Sequence, residues 1–94
     1  MRQVLLSYFD KKLGVYSTPH AVHDVEDDVI IEEIRRMCAN PKLPKVYLEY
    51  DLYRIGDFDD KTGEIKVCEK PVFLVSLNDF RSLASEDVED FESN

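Results

Sequence analysis

The sequence is poor in residues that mark several classes of small protein, with no tryptophan, three glycines and two cysteines in 94 residues. Cys38 and Cys68 lie far apart and form no C-x-x-C pair, which argues against a disulfide framework and a paired-cysteine zinc site. No apolar run approaches the length of a membrane span, and the N-terminus lacks the apolar segment of a signal peptide. We therefore expect a cytoplasmic protein with reduced thiols and no membrane association.

Basic residues are also scarce, 12 against 20 acidic residues, which gives a net charge of −8. This charge opposes non-specific attraction to nucleic-acid backbones and to anionic membranes. Residues 85–94 contain five acidic residues and no basic one, so the rest of the chain carries only −3 of the −8. The composition predicts a single domain over 1–84 and a disordered acidic tail over 85–94.

The sequence contains no motif that supplies a nucleophile, a phosphate-binding loop or a paired general acid and base. We therefore expect a non-enzymatic protein with no metal and no cofactor. His20 and His23 lie beside Asp24 but lack a third strong ligand, and we interpret them as loop residues. The acidic residues of segment 57–64 lack the spacing of a calcium loop and are better explained by turn hydrogen bonds.

Two segments have the pattern of a β-hairpin. The first joins residues 3–9 to residues 15–18 through a turn that ends at Gly14. The second, over 46–75, reverses in an Asp-rich turn where Gly63 supplies the positive φ that a bulged hairpin requires. Because a hairpin with one apolar face is not stable alone, other segments must cover both of them.

Between the hairpins, the apolar residues change to helical spacing. Val29 or Ile30, then Ile34, then Met37 and Cys38 recur at spacings of three and four, with acidic residues before them and arginines at the end of the pattern. This charge order complements the helix dipole and predicts a helix over 24–39 that begins at an Asp24 cap. Ile31 lies off the apolar stripe, either as the edge of a wide buried face or as a contact for a partner.

Together these segments predict an α+β fold, with an antiparallel sheet of four to five strands in the order ββαββ and the helix across one face. Residues 72–75, after Pro71, are either a bent continuation of the second hairpin or a separate edge strand. Residues 77–84 are expected to form a short helix. A half-covered sheet favours a homodimer, formed through an edge strand or through the Ile31 side of the helix.

Two motifs in this order resemble a known family, SYFDKKLGVYSTP at 7–19 and YDLYRIGDFDDKTGEI at 50–65. With the intervening helix and the apolar segment that follows, the pattern over residues 4–75 resembles the small nonstructural protein of gokushovirus-type microviruses, which are single-stranded-DNA bacteriophages. The segment after Pro19 departs from the proline and aromatic residues frequent in that family. The resemblance implies a nonstructural protein of the infected host cytoplasm, acting in single-stranded DNA synthesis or genome packaging and sometimes described as DNA-binding.

A single-strand binder stacks bases on aromatic rings that are flanked by Lys and Arg. The candidate residues are Tyr8, Lys11, Lys12, Tyr16, Lys42, Lys45, Tyr47, Tyr53 and Arg54. The alternative is that the tyrosines are half-buried sheet residues with their hydroxyl groups at the rim. If residues 47–53 form one strand, Glu49 and Asp51 lie beside the rings and repel phosphates.

The acidic tail suggests a second functional class. Val88 and Phe91 are apolar residues among its acids, so the tail is a candidate to dock on a basic, apolar groove of a viral or host protein. The same tail could instead cover a basic patch of its own chain in competition with DNA, or be a solvated terminus. The alternative function is therefore an acidic adaptor or decoy that binds a basic protein.

Overall fold

The backbone of residues 2–82, which the computed structural model describes, forms five strands, one α-helix and two short 3₁₀ helices. The strands are β1 (Arg2–Asp10), β2 (Val15–Tyr16), β3 (His20–His23), β4 (Tyr50–Asp59) and β5 (Ile65–Ser76). The helix α1 spans Asp27–Ala39, and the 3₁₀ helices span Lys45–Glu49 and Leu77–Phe80. The predicted α+β class, with four to five antiparallel strands and one helix, is confirmed. The predicted tail over 85–94 lies outside the described residues, as does the end of the predicted 77–84 helix.

Strand β1 lies inside the sheet and pairs on both sides. On one side it pairs with β4 along its whole length, and β4 pairs in turn with β5. On the other side, the start of β1 pairs with β3 and its end pairs with β2, so that these two short strands share one edge. All of these pairings are antiparallel, and the sheet reads β2-β1-β4-β5 with β3 beside β2.

The two hairpin turns use the same chemistry, as the sequence predicts. Asp10 Oδ1 accepts hydrogen bonds from the N–H groups of Lys12 at 2.9 Å and Leu13 at 3.1 Å. Asp59 Oδ1 accepts equivalent bonds in the second turn, and the N–H groups of Lys61 and Thr62 thereby lower the pKa of Asp59. Each turn ends at a glycine with positive φ, 71° in the first turn and 77° at Gly63 in the second.

The core lies between α1 and one face of the sheet. Buried apolar side chains come from the sheet, from α1 and from both 3₁₀ helices, and they are Val4, Leu6, Ile30, Ile34, Cys38, Leu48, Leu52, Val75 and Leu77. Of the predicted stripe, Ile30, Ile34 and Cys38 form the buried face of the helix. Met37 is half-buried against the same cluster, and Val29 is 47% exposed, so Ile30 and not Val29 begins the stripe. Ile31 is half-buried and packs against the edge of the same cluster.

Three local expectations are wrong. Helix α1 begins at Asp27, with Glu26 rather than Asp24 at the cap position. Residues His20–His23 form β3 instead of a loop, because their backbone pairs with Gln3–Leu6 on the free side of β1. The start of the predicted second hairpin, Lys45–Glu49, is a 3₁₀ helix, in which the N–H of Tyr47 donates to the carbonyl oxygen of Pro44 at 3.1 Å.

Strand β5 runs through Pro71 without ending, so the segment after this proline is a continuation and not a separate strand. The continuation requires two shifts of register against β4, one between Leu52 and Tyr53 and one between Arg54 and Gly56. At the second shift β5 approaches β4 so closely that a Cβ on Gly56 would lie 2.4 Å from the carbonyl oxygen of Lys66. Only glycine fits at position 56, because the backbone of β5 occupies the space that a side chain would need.

Candidate nucleic-acid interface

The sheet face opposite α1, here called the open face, is not covered by any helix within residues 2–82. Side chains directly opposite each other in an antiparallel pair point to the same face. The pairs Phe9↔Tyr16, Phe9↔Asp51 and Tyr53↔Phe73 therefore place these five side chains together on the open face.

Four of these side chains form a continuous aromatic surface, the aromatic platform, made of Phe9, Tyr16, Tyr53 and Phe73. Ring centroids are separated by 4.8 Å between Phe9 and Tyr16, 5.5 Å between Tyr16 and Tyr53, and 5.7 Å between Tyr53 and Phe73. Tyr16 is 46% exposed and Phe73 is 53% exposed. The platform therefore presents accessible ring surface to solvent, although its members support one another by edge-to-face contacts.

Lysines lie at one end of the platform, in the turn between β1 and β2. Lys11 Nζ lies 3.2 Å from Asp51 Oδ1 and 3.4 Å from Ser76 Oγ. The exposed ammonium group of Lys12 makes no ion pair within the described part of the chain. Burial raises the pKa of Tyr53, and the neighbouring Tyr16 and Asp51 raise it further, so its hydroxyl group stays neutral near pH 7. The carboxylate of Asp51 beside the platform is therefore paired with Lys11. Lys12 remains free to contact a phosphate.

A second aromatic group lies on the α1 side of the sheet. The Tyr8 ring stacks on His20 at 5.5 Å and lies 6.1 Å from Tyr50, which is 5.6 Å from Tyr47. Burial raises the pKa of Tyr8 and lowers the pKa of His20, so both rings are neutral near pH 7. Beside them is a cleft of about 320 Å³, the tyrosine cleft, lined by Tyr8, Asp10, Val15, Tyr16, Ser17, Tyr47 and Tyr50.

The remaining candidate residues lie away from the platform. Arg54 points to the α1 side, where its Nη1 lies 3.4 Å from Asp27 Oδ1 at the start of the helix. Lys42 and Lys45 are exposed in the connection between α1 and β4. The structure therefore brings together Lys11, Lys12, Tyr16 and Tyr53 of the predicted set and places the other five elsewhere. Val88 and Phe91 lie outside the described residues.

The prediction that Glu49 and Asp51 both lie beside the rings is wrong for Glu49. Glu49 belongs to a 3₁₀ helix, so the side-chain alternation of strand β4 does not include it. Its carboxylate accepts a hydrogen bond from Arg81 at 2.9 Å. Asp51 does lie beside Tyr53, as the strand parity predicts. Phe9 and Phe73 are members of the platform that sequence reasoning missed. Phe9 could have been identified from the sequence, because in a strand Ser7 and Phe9 point to one face and Leu6 and Tyr8 to the other.

Comparison with known proteins identifies the family of the chain. No curated protein and no solved structure matches the chain. Within residues 2–82, no helix combines the length and apolar composition needed to cross a bilayer. The family described as Phage ORF5 protein matches residues 3–80, which include α1, both hairpins and every member of the aromatic platform. The chain therefore belongs to the Phage ORF5 protein family and is a bacteriophage protein.

Proposed function

We propose that this protein is a non-enzymatic nonstructural protein of a gokushovirus-type microvirus, and that it binds single-stranded DNA weakly during genome synthesis or packaging. The aromatic platform beside Lys12 is the observation that carries the proposal. The motifs at 7–19 and 50–65 support the choice of virus group. Such a protein would act in the cytoplasm of the infected host cell.

Binding would combine stacking with a small electrostatic contribution. Bases would stack on the exposed rings of Tyr16 and Phe73, and each base stacked on an aromatic ring contributes about 1–3 kcal/mol. Phosphates would approach Lys12, and Lys11 when it exchanges Asp51 for a phosphate. The net charge of −8 opposes this attraction, so the affinity would be weak and would fall steeply with salt.

Replacing Tyr16 by leucine should weaken binding of an oligothymidylate about tenfold, equivalent to roughly 1.4 kcal/mol for one lost stack. The matched control is Tyr47→Leu, because Tyr47 is 39% exposed but lies on the α1 side of the sheet.

Lys12→Glu should also weaken binding several-fold and reduce the salt dependence, since it removes one phosphate contact. Its control, Lys61→Glu, changes the charge equally in the turn at the far end of the sheet. Fluorescence anisotropy at several salt concentrations measures all four.

No binding at low salt, or equal losses in the platform variants and their controls, would overturn this function. The alternative would then be an adaptor or decoy for a basic viral or host protein. One feature favours that alternative, an open groove of about 590 Å³ lined mainly by the acidic residues before and at the start of α1. Its lining residues are Asp24, Val25, Glu26, Asp27, Asp28 and Arg54.

We also propose that two copies associate through β5, the long strand at one edge of the sheet. Its side chains are well exposed on the open face, with Ile65 at 58% and Val67 at 79%. Edge pairing would place two aromatic platforms side by side and lengthen the surface available to a single strand. Sedimentation equilibrium at about 100 µM should then give twice the 11.0 kDa mass of one chain. Val67→Lys should shift the equilibrium to the monomer, whereas a monomeric mass for the unchanged protein at this concentration would refute the association.

A further inference from the structure

The tyrosine cleft lies on the α1 side of the sheet, whereas the aromatic platform lies on the open face. The pairs Asp10↔Tyr50 and Asp10↔Val15 place these three side chains on the same face as Tyr8, which lies two residues earlier in β1. Tyr47 joins the lining from the 3₁₀ helix that precedes β4. Strands β1, β2 and β4 and this 3₁₀ helix therefore build one recess.

Three tyrosine rings form the walls of the cleft. The ring planes of Tyr8 and Tyr50 meet at 43°, and those of Tyr50 and Tyr47 meet at 85°. Rings at such angles line a corner instead of stacking flat, and aromatic sites of this kind hold cations through the attraction between positive charge and ring faces. Tyr47 is 39% exposed, so a group from another molecule can reach this corner.

The charge of the lining favours a cation as the occupant. Asp10 lines the cleft, and none of the described residues that line it is basic. Asp10 Oδ1 accepts the two N–H groups of the turn, whereas Oδ2 accepts no hydrogen bond from the described part of the chain. An apolar occupant would cover this carboxylate without giving it a partner, which costs free energy, and an anion would be repelled. A cation with N–H groups supplies the missing partner.

We propose that the tyrosine cleft binds an arginine side chain of a basic partner protein, with the guanidinium group on the rings of Tyr47 and Tyr50 and its N–H groups donating to Asp10. Arginine fits better than lysine, because a planar guanidinium group stacks on an aromatic face and donates hydrogen bonds to a carboxylate at the same time. A quaternary ammonium group has no N–H to donate and would leave Asp10 without a partner. The cleft volume of about 320 Å³ accommodates one such side chain.

This site goes beyond DNA binding and does not depend on it. Tyr16, in the edge strand β2, is the one platform residue that also lines the cleft. The net charge of −8, which opposes the approach of DNA, attracts a basic protein. The two sites therefore select partners of opposite charge on opposite sides of one sheet.

A titration of the full chain without DNA tests the site, with the tripeptide acetyl-Gly-Arg-Gly-amide as the probe. The amide NMR signals of Asp10, Val15 and Tyr47 should move, and that of Phe73 on the open face should stay in place. The same peptide with citrulline, the neutral analogue of arginine, should not bind. The peptide with lysine should bind several-fold more weakly than the arginine peptide.

Asp10→Asn removes the charge and keeps an oxygen for the hydrogen bonds of the turn. Its matched control is Asp59→Asn, because Asp59 has the same role in the second turn and lies outside the lining of the cleft. Asp10→Asn should weaken binding of the arginine peptide about fivefold, and Asp59→Asn should leave it nearly unchanged. Tyr47→Leu should weaken binding about two- to fivefold, whereas Tyr47→Phe, which keeps the ring, should not.

Equal weakening by Asp10→Asn and Asp59→Asn would overturn the site, because long-range attraction alone explains that result. Equal binding of the citrulline or lysine peptide would also overturn it, as would equal losses in Tyr47→Leu and Tyr47→Phe. Signals that move only in the acidic groove beside the start of α1 would have the same consequence. If the arginine peptide binds in the cleft and oligothymidylate binds nowhere, the cleft site stands and the proposed DNA-binding function fails.

Discussion

Leu52→Ala is expected to lower the free energy of unfolding by about 3–4 kcal/mol, because a fully enclosed leucine leaves a cavity that the surroundings fill only in part. Leu52 is 0% exposed and lies in β4 between Tyr8 of β1 and Val75 of β5. It belongs to the core cluster to which α1 and both 3₁₀ helices also contribute side chains. In a domain of this size, such a loss lowers the melting temperature by roughly 15 °C.

Urea denaturation followed by circular dichroism measures this change, and Leu13→Ala is the matched control. Leu13 is 73% exposed in the first turn, so the same truncation there should change the free energy of unfolding by less than about 0.5 kcal/mol. A loss below about 1 kcal/mol at Leu52 would mean that the core does not close around β4 as described.

Gly56→Ala is expected to destabilise the protein by about 3 kcal/mol, although it adds only one methyl group. The new Cβ would lie 2.4 Å from the carbonyl oxygen of Lys66 and 3.2 Å from the Cα of Val67. Both are backbone atoms of β5, so no side-chain rotation relieves the contact, and the two strands must separate where their register already shifts. Thermal unfolding and amide hydrogen exchange across the β4–β5 pairing measure the effect.

The control for this prediction is Gly63→Ala. Gly63 has a φ of 77°, but no atom lies within 4 Å of the position that a Cβ would take, so alanine there meets only the cost of a left-handed conformation, about 1 kcal/mol. Gly63→Asn should cost less than Gly63→Ala, because asparagine adopts this conformation more readily. Equal losses at positions 56 and 63 would contradict the close approach of β5.

Local turn chemistry and helical periodicity were enough to predict most of the fold. The Asp and Gly residues of both hairpin turns, and the spacing of Ile30, Ile34 and Cys38, specify their structures without distant contacts. Strand β3 could not be predicted in this way, because HAVH has no strong strand pattern and is ordered by pairing with β1. The 3₁₀ helix at Lys45–Glu49 could not be predicted for a similar reason. It begins after Pro44, and the position of Pro44 in the fold is not given by the sequence.

The site was predicted only in part for a similar reason. Tyr16 and Tyr53 were identified by residue type, but their contact depends on the pairing of β1 with both β2 and β4. Phe73 joins them through a register shift between Leu52 and Tyr53 that no sequence pattern indicates. Tyr8 and Tyr47, which look equivalent in the sequence, lie on the other side of the sheet.

The two edges of the sheet differ, and this limits how copies can assemble. One edge is made of β2 and β3, with two and four residues, and the other is the 12-residue β5. Short strands offer few backbone groups to a neighbour, so lateral growth is favoured at one side only. If two copies pair through β5, as proposed above, each uses the one long edge strand of its described sheet. Such pairing would stop at two copies and would not extend into open-ended fibres.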